Sequence, residues 1–117
     1  MKGQSFYRRL AFAINGLYLA YLREPSFRYH VFACIGVIAL LAITHPQPIW
    51  WAMGALAVGL VMATELFNTA IETLADHLHP ELHPEIGAVK DIAAAAVLLS
   101  SIIALLIATA FAIDWLN

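Results

Sequence analysis

Residues 92–113 read IAAAAVLLSSIIALLIATAFAI, a run of 22 positions without an Asp, Glu, Lys, Arg or His. The hydrocarbon core of a bilayer is about 30 Å thick and takes about 20 apolar residues of helix to cross. This run is long enough, and it is apolar on every side, as a lipid-facing helix must be. Working outward, Val31 to Thr64 also carries no Asp, Glu, Lys or Arg. It is interrupted by HPQP at 45–48, where two prolines mark a turn. Three spans follow, at about 26–44, 49–76 and 91–115. The composition agrees: 62% of the 117 residues are hydrophobic and 12% charged, where soluble domains run at about 45–50% and 25%. The expected fold class is an all-α integral membrane protein with one membrane-embedded domain, 1–117.

The charges are sorted along the chain. Lys2, Arg8, Arg9, Arg23 and Arg28 hold five of the six basic positions, and 65–91 holds six of the eight acids. Residues 4–23, QSFYRRLAFAINGLYLAYLR, predict a helix with Gln4, Arg8, Arg9, Asn15 and Arg23 in one sector. That pattern suits an amphipathic helix lying on an anionic membrane face. Arg8-Arg9 has the outline of a twin-arginine leader, but LREPSFR (22–28) offers no small-residue cleavage site. Pro25 disfavours helix at Glu24 and suits the first turn of the next one. A basic N-terminus stays cytoplasmic, which puts HPQP outside, 65–91 inside and the C-terminus outside. The expected setting is a multi-pass protein whose working face is cytoplasmic.

That face carries ELFNTAIETLAD, residues 65–76. Glu65, Asn68, Thr69, Glu72 and Asp76 fall within an arc of about 100° on a helix, opposite Leu66, Phe67, Ala70 and Leu74. An ionisable side chain at membrane depth costs at least about 2.5–3.5 kcal/mol and marks a functional site by default. Glu65 should lie below the headgroups, with Glu72 and Asp76 nearer water. Paired carboxylates with phosphate oxygens suit Mg²⁺, and Glu24 shares the face with Glu72. An interhelical polar patch, or a proton-coupled transporter using Glu65 as its carrier, fits the spacing alone as well.

Taken with PELHP (80–84), VKDIAAAAVLL (89–99) and EPSFRYH (24–30), this stretch resembles the prokaryotic diacylglycerol kinase family, which includes the undecaprenol kinases. The resemblance spans nearly the whole chain. It implies a homotrimeric bundle of surface helix plus three transmembrane helices in the bacterial inner membrane, with active sites shared between protomers. It implies transfer of the γ-phosphate of ATP to a membrane lipid hydroxyl, of diacylglycerol or undecaprenol. By similarity, Glu65 is the catalytic base and Asn68 stands beside the phosphates. Glu24 and Glu72 match the metal ligands for Mg²⁺ on ATP. Glu81, His83, Lys90 and Asp91 match nucleotide-binding positions, and Ser26, Phe27 and Arg28 match a segment near the lipid. His30 stands where the proteobacterial diacylglycerol kinases carry an acid, and the SFRYH and VKD forms look closer to the undecaprenol kinase branch. Phe12 replaces a nucleotide-contacting tyrosine. No Walker motif and no HRD loop is present.

The remaining motifs read as structural. His77, His79 and His83 lie in a stretch, 77–88, expected to be a solvated loop, since H-x-H-x₃-H is not a strong zinc spacing. Trp50, Trp51 and Trp115 suit an interfacial belt. Gly36, Gly54 and Gly59, with Ala93–Ala96, suit close helix approach. Cys34 has no partner for an intrachain disulfide.

Overall fold

A computed structural model describes residues 2–117 of the chain. It contains four helices in order: α1 (Phe6–Arg23), α2 (Pro25–Thr44), α3 (Pro48–Leu78) and α4 (Pro84–Leu116). The last three are each long and apolar enough to cross a membrane.

The helix starts follow from local chemistry. Ser5 caps α1, its hydroxyl accepting the Arg8 N–H at 3.4 Å, so the helix opens at Phe6 rather than Gln4. Pro25, Pro48 and Pro84 each sit in the first turn of their helix, where a fixed φ helps and the missing N–H costs nothing. This moves the starts of α2 and α3 to the prolines themselves, one residue before the expected 26 and 49. His45 closes α2 in the left-handed region, with φ 50°, and its N–H bonds back to Leu41 O.

The largest departure from expectation is at 77–88. α3 runs on past Asp76 to Leu78, and α4 starts at Pro84 rather than Asp91. Only 79–83 remains outside a helix. His83 caps α4, its Nδ1 accepting the Glu85 N–H at 3.1 Å, and Glu85 adds an acid to the first turn. Cap, proline and acid together stabilise a helix N-terminus, and polarity alone does not stop a helix. At the other end α4 reaches Leu116, one residue past the expected 115.

α3 packs mainly along α4; α2 packs on α3, and α1 on α2 with a smaller contact to α3. The antiparallel α3–α4 pair is clasped at both ends by polar bonds. At one end Lys90 Nζ bonds Asp76 Oδ1. At the other, Trp50 Nε1 donates to Asp114 Oδ2 at 2.9 Å, with the indole edge-on to Phe111 at 5.4 Å between centroids. Trp50 is thus turned toward α4, while Trp51 and Trp115 are exposed. Both clasps set the same register, which brings Glu65 level with Ser100.

Burial within the chain is thin. Among the described residues, Ala20, Phe27, Leu41, Ala57, Val61, Ala75 and Ala93 are the buried apolar ones, and Glu65 and Ser100 the buried polar ones. Lipid tails are as apolar as leucine, so helices in a bilayer associate through close packing rather than by hiding apolar surface. Of the three candidate glycines, Gly54 makes the close approach: a Cβ there would stand 3.1 Å from Leu41 Cδ1 and 3.5 Å from Val37 Cγ1. Gly36 and Gly59 face open space on this chain, and of Ala93–Ala96 only Ala93 is buried.

Gly54→Val should therefore push α2 off α3. The expected outcome is a lower thermal midpoint in detergent, equivalent to about 1–3 kcal/mol for overpacking. Gly54→Ala should lose less, and an unchanged midpoint for Val would show that α2 is free to move aside.

Candidate active site

α3 and α4 are longer than a bilayer requires. With 31 residues, α3 is about 46 Å long, against a hydrocarbon core of about 30 Å. α2 has 20 residues and matches the core alone. The short 45–47 link holds α2 and α3 level at one end, so the excess of α3 projects at the other, carrying Glu72 and Asp76. Glu65 lies about 25 Å along α3 from Pro48, and His30 about 21 Å along α2 from Thr44. Both stand at nearly the same height above the 45–47 link, within the about 30 Å that a bilayer core would span.

The structure joins them. His30 Nε2 lies 3.0 Å from Glu65 Oε1. Glu65 is 7% exposed, and this is its one side-chain hydrogen bond among the described residues. A charged carboxylate in low-polarity surroundings needs such a donor. His30 is a partner of Glu65 that the sequence motifs left without a task. Counting helical rise from the 45–47 turn would have placed it beside Glu65, but only packing could show that the two faces meet.

Asn68 follows one turn along α3. Its Oδ1 is buried without a hydrogen-bond partner, which is uncommon for a native amide and calls for a ligand or another explanation. Glu72 is a further turn on, half-buried. Glu24 is half-buried at the α1–α2 corner. Neither side chain has a hydrogen-bond or ion-pair partner among the described residues. No group of three His, Cys, Asp or Glu side chains able to hold a metal forms among them either.

Other expected site residues are occupied locally. Lys90 pairs with Asp76, while Asp91 is exposed. His83 caps α4 and stacks edge-on with His79 at 5.4 Å. Exposed Glu81 lies near the same ring, with Oε2 3.5 Å and its carbonyl 3.0 Å from His79 Nδ1. Ser26 is exposed, and Phe27, at 2% exposed, is a packing residue of the corner. Arg28 Nη1 donates to Tyr21 O at 2.7 Å and to Leu22 O at 3.0 Å. A cation on the last carbonyls of a helix satisfies them and complements its dipole. Arg28 thereby ties the end of α1 to the start of α2.

The arrangement is a buried acid at membrane depth, with further oxygen donors climbing the same helix toward water. Comparison with known proteins gives it a context. Residues 11–112 match the family model for prokaryotic diacylglycerol kinase. Over 97 residues the chain is 36% identical to the diacylglycerol kinase of Synechocystis, covering 82% of this chain and 55% of the relative, so it spans about half of that protein's length. It is 30% identical over 102 residues to the undecaprenol kinase of Bacillus subtilis, covering 87% of this chain and 83% of the relative. It is 32% identical over 92 residues to the diacylglycerol kinase of Escherichia coli K12, covering 79% of this chain and 75% of the relative.

Arg28→Ala should loosen the corner beside this site. The expected outcome is faster amide hydrogen exchange in the last turn of α1, with exchange in the α3–α4 pair unchanged. Equal protection in the variant would mean that packing of Phe27 and Ala20 alone holds α1.

Proposed function

The chain belongs to the prokaryotic diacylglycerol kinase family, a family of lipid kinases, and from that premise we propose that it phosphorylates the hydroxyl of a membrane lipid with ATP and Mg²⁺. The substrate is diacylglycerol or undecaprenol, two lipids that share a free hydroxyl on a long apolar body. The observation that carries this reading is Glu65: an acid buried on α3, a helix long and apolar enough to cross a membrane, which a lipid hydroxyl could reach from the bilayer.

In this reading Glu65 is the general base. Its carboxylate takes the proton of the lipid hydroxyl as that oxygen forms its bond to the γ-phosphorus and the bond to the ADP oxygen breaks. Phosphoryl transfer depends on positioning and on neutralising charge more than on covalent help, and a climbing stripe of polar residues suits that demand. Asn68 offers its unpartnered amide oxygen one turn above the base. Glu24 and Glu72 are two hard-oxygen carboxylates without hydrogen-bond or ion-pair partners among the described residues, the donor chemistry that suits a divalent cation completed by phosphate oxygens. Glu24 and Glu72 would hold Mg²⁺, which would supply charge neutralisation at the phosphates. Lys90, Asp91, Glu81 and His83, at the projecting end of α3 and α4, are assigned to the nucleotide. Ser26, Phe27 and Arg28, at the α1–α2 corner, are assigned to the lipid side.

The same reading places α1 on the membrane surface and the acidic end at the cytoplasmic face of the bacterial inner membrane, where ATP is available. It also makes the working unit a homotrimer. A single chain with so few buried residues leaves long apolar faces for partner helices as well as for lipid, and neighbouring copies would complete the nucleotide site. The resemblance in motifs supports this assembly.

The test is transfer from γ-labelled Mg-ATP in mixed micelles, with diacylglycerol and undecaprenol offered in parallel. Glu65→Gln should lose at least about 10²-fold in turnover, the scale of a general base, and keep its KM for Mg-ATP. Glu72→Gln should instead raise the KM for Mg-ATP and the Mg²⁺ requirement. Full turnover by Glu65→Gln would remove it as the base, and labelling of one lipid only would assign the substrate.

A further inference from the structure

We propose that His30 is a positioning residue for Glu65: its Nε2–H holds Oε1 and leaves Oε2 free to receive the proton of the substrate hydroxyl. This rests on the reading of Glu65 as general base. Three observations carry it. The 3.0 Å contact joins two helices, since His30 stands on α2 and Glu65 on α3. Glu65 has no other hydrogen bond to fix its carboxylate among the described residues, and Oε2 has none. And His30 lines the apolar cavity of about 780 Å³ between α2, α3 and α4, whose far end is walled by Trp50 and Trp115.

A glutamate has three rotatable side-chain bonds, and a buried one with a single anchor depends on that anchor for its aim. With the carboxylate ionised, the imidazole must present a proton on Nε2, so it donates. The anchor comes from α2, whereas Asn68 and Glu72 share α3 with the base. The separation between α2 and α3 therefore sets where the base points relative to the phosphates. An error of about 1 Å in such a group costs up to about 10²-fold in rate. A polar clasp that only joined two helices would affect stability and leave the chemical step alone.

Three variants separate these roles, each assayed in micelles with the lipid that wild type prefers. His30→Leu removes the donor, His30→Gln returns an N–H at similar reach, and His30→Asn carries an amide that is too short. Leu and Asn should lower kcat by about 10- to 100-fold with the KM for Mg-ATP unchanged, and Gln should recover most of the rate. In a Glu65→Gln background, His30→Leu should cost nothing further. Wild-type kcat in His30→Leu, or a loss with Gln equal to that with Leu, would overturn the role of His30 even where its thermal midpoint falls. If Leu fails to fold, the Gln–Asn contrast decides. The two readings fail separately: an active Glu65→Gln removes the base and this proposal with it, whereas an inactive Glu65→Gln beside a fully active His30→Leu removes His30 alone.

Discussion

A carboxylate cannot stand alone at hydrocarbon depth. Its charge has to meet a donor, a cation or water, and much of this molecule's arrangement can be understood from how that requirement is met for Glu65. α2 brings His30 to it. Gly54 lets α2 come close enough, and Leu41 and Val37 fill the space that a larger residue would need. Farther out, Arg28 and Phe27 secure the corner where α2 begins. The pieces lie on three helices and in several motifs, yet they bear on one oxygen atom.

The second constraint is length. A helix of about 20 residues satisfies a bilayer, and α2 stops there. α3 and α4 do not, so their excess stands beyond the membrane as an antiparallel pair. A helix carries polar groups across that boundary without exposing backbone. The extension therefore supports a graded series: a buried acid, an orphaned amide oxygen, a half-buried carboxylate, then the Asp76–Lys90 pair in water. Such a gradient suits a family whose named relatives join a lipid to a phosphate. The pair of clasps, Trp50 with Asp114 and Lys90 with Asp76, keeps the two long helices in register while most of their surface faces outward.

Much of this was legible beforehand, because the informative signals are one-dimensional. Hydropathy counts the spans, prolines mark the starts, and helical spacing gathers Glu65, Asn68, Glu72 and Asp76 on one face. The errors have a common physical source. The 77–88 stretch reads as loop because it is polar, yet His83 and Pro84 together start a helix inside it. Trp50 reads as a belt residue because tryptophan favours interfaces, and the sequence carries no sign that Asp114 on α4 accepts a hydrogen bond from its indole. Gly36 and Gly59 resemble Gly54 in composition and differ from it only in what lies opposite.

By itself the sequence determined that the chain is helical, that three of its helices can cross a membrane, and that Glu65, Glu72 and Asp76 share one face of one helix. Those properties depend on residue type and on rise per residue, and neither needs a partner. The tertiary structure decided which side chains meet across helices: His30 with Glu65, Lys90 with Asp76, Trp50 with Asp114, and Arg28 with the last carbonyls of α1. Hydropathy is uniform around a lipid-facing helix, so it carries no record of which face turns toward a neighbour. That rotation comes from close packing, at positions as particular as the missing Cβ of Gly54.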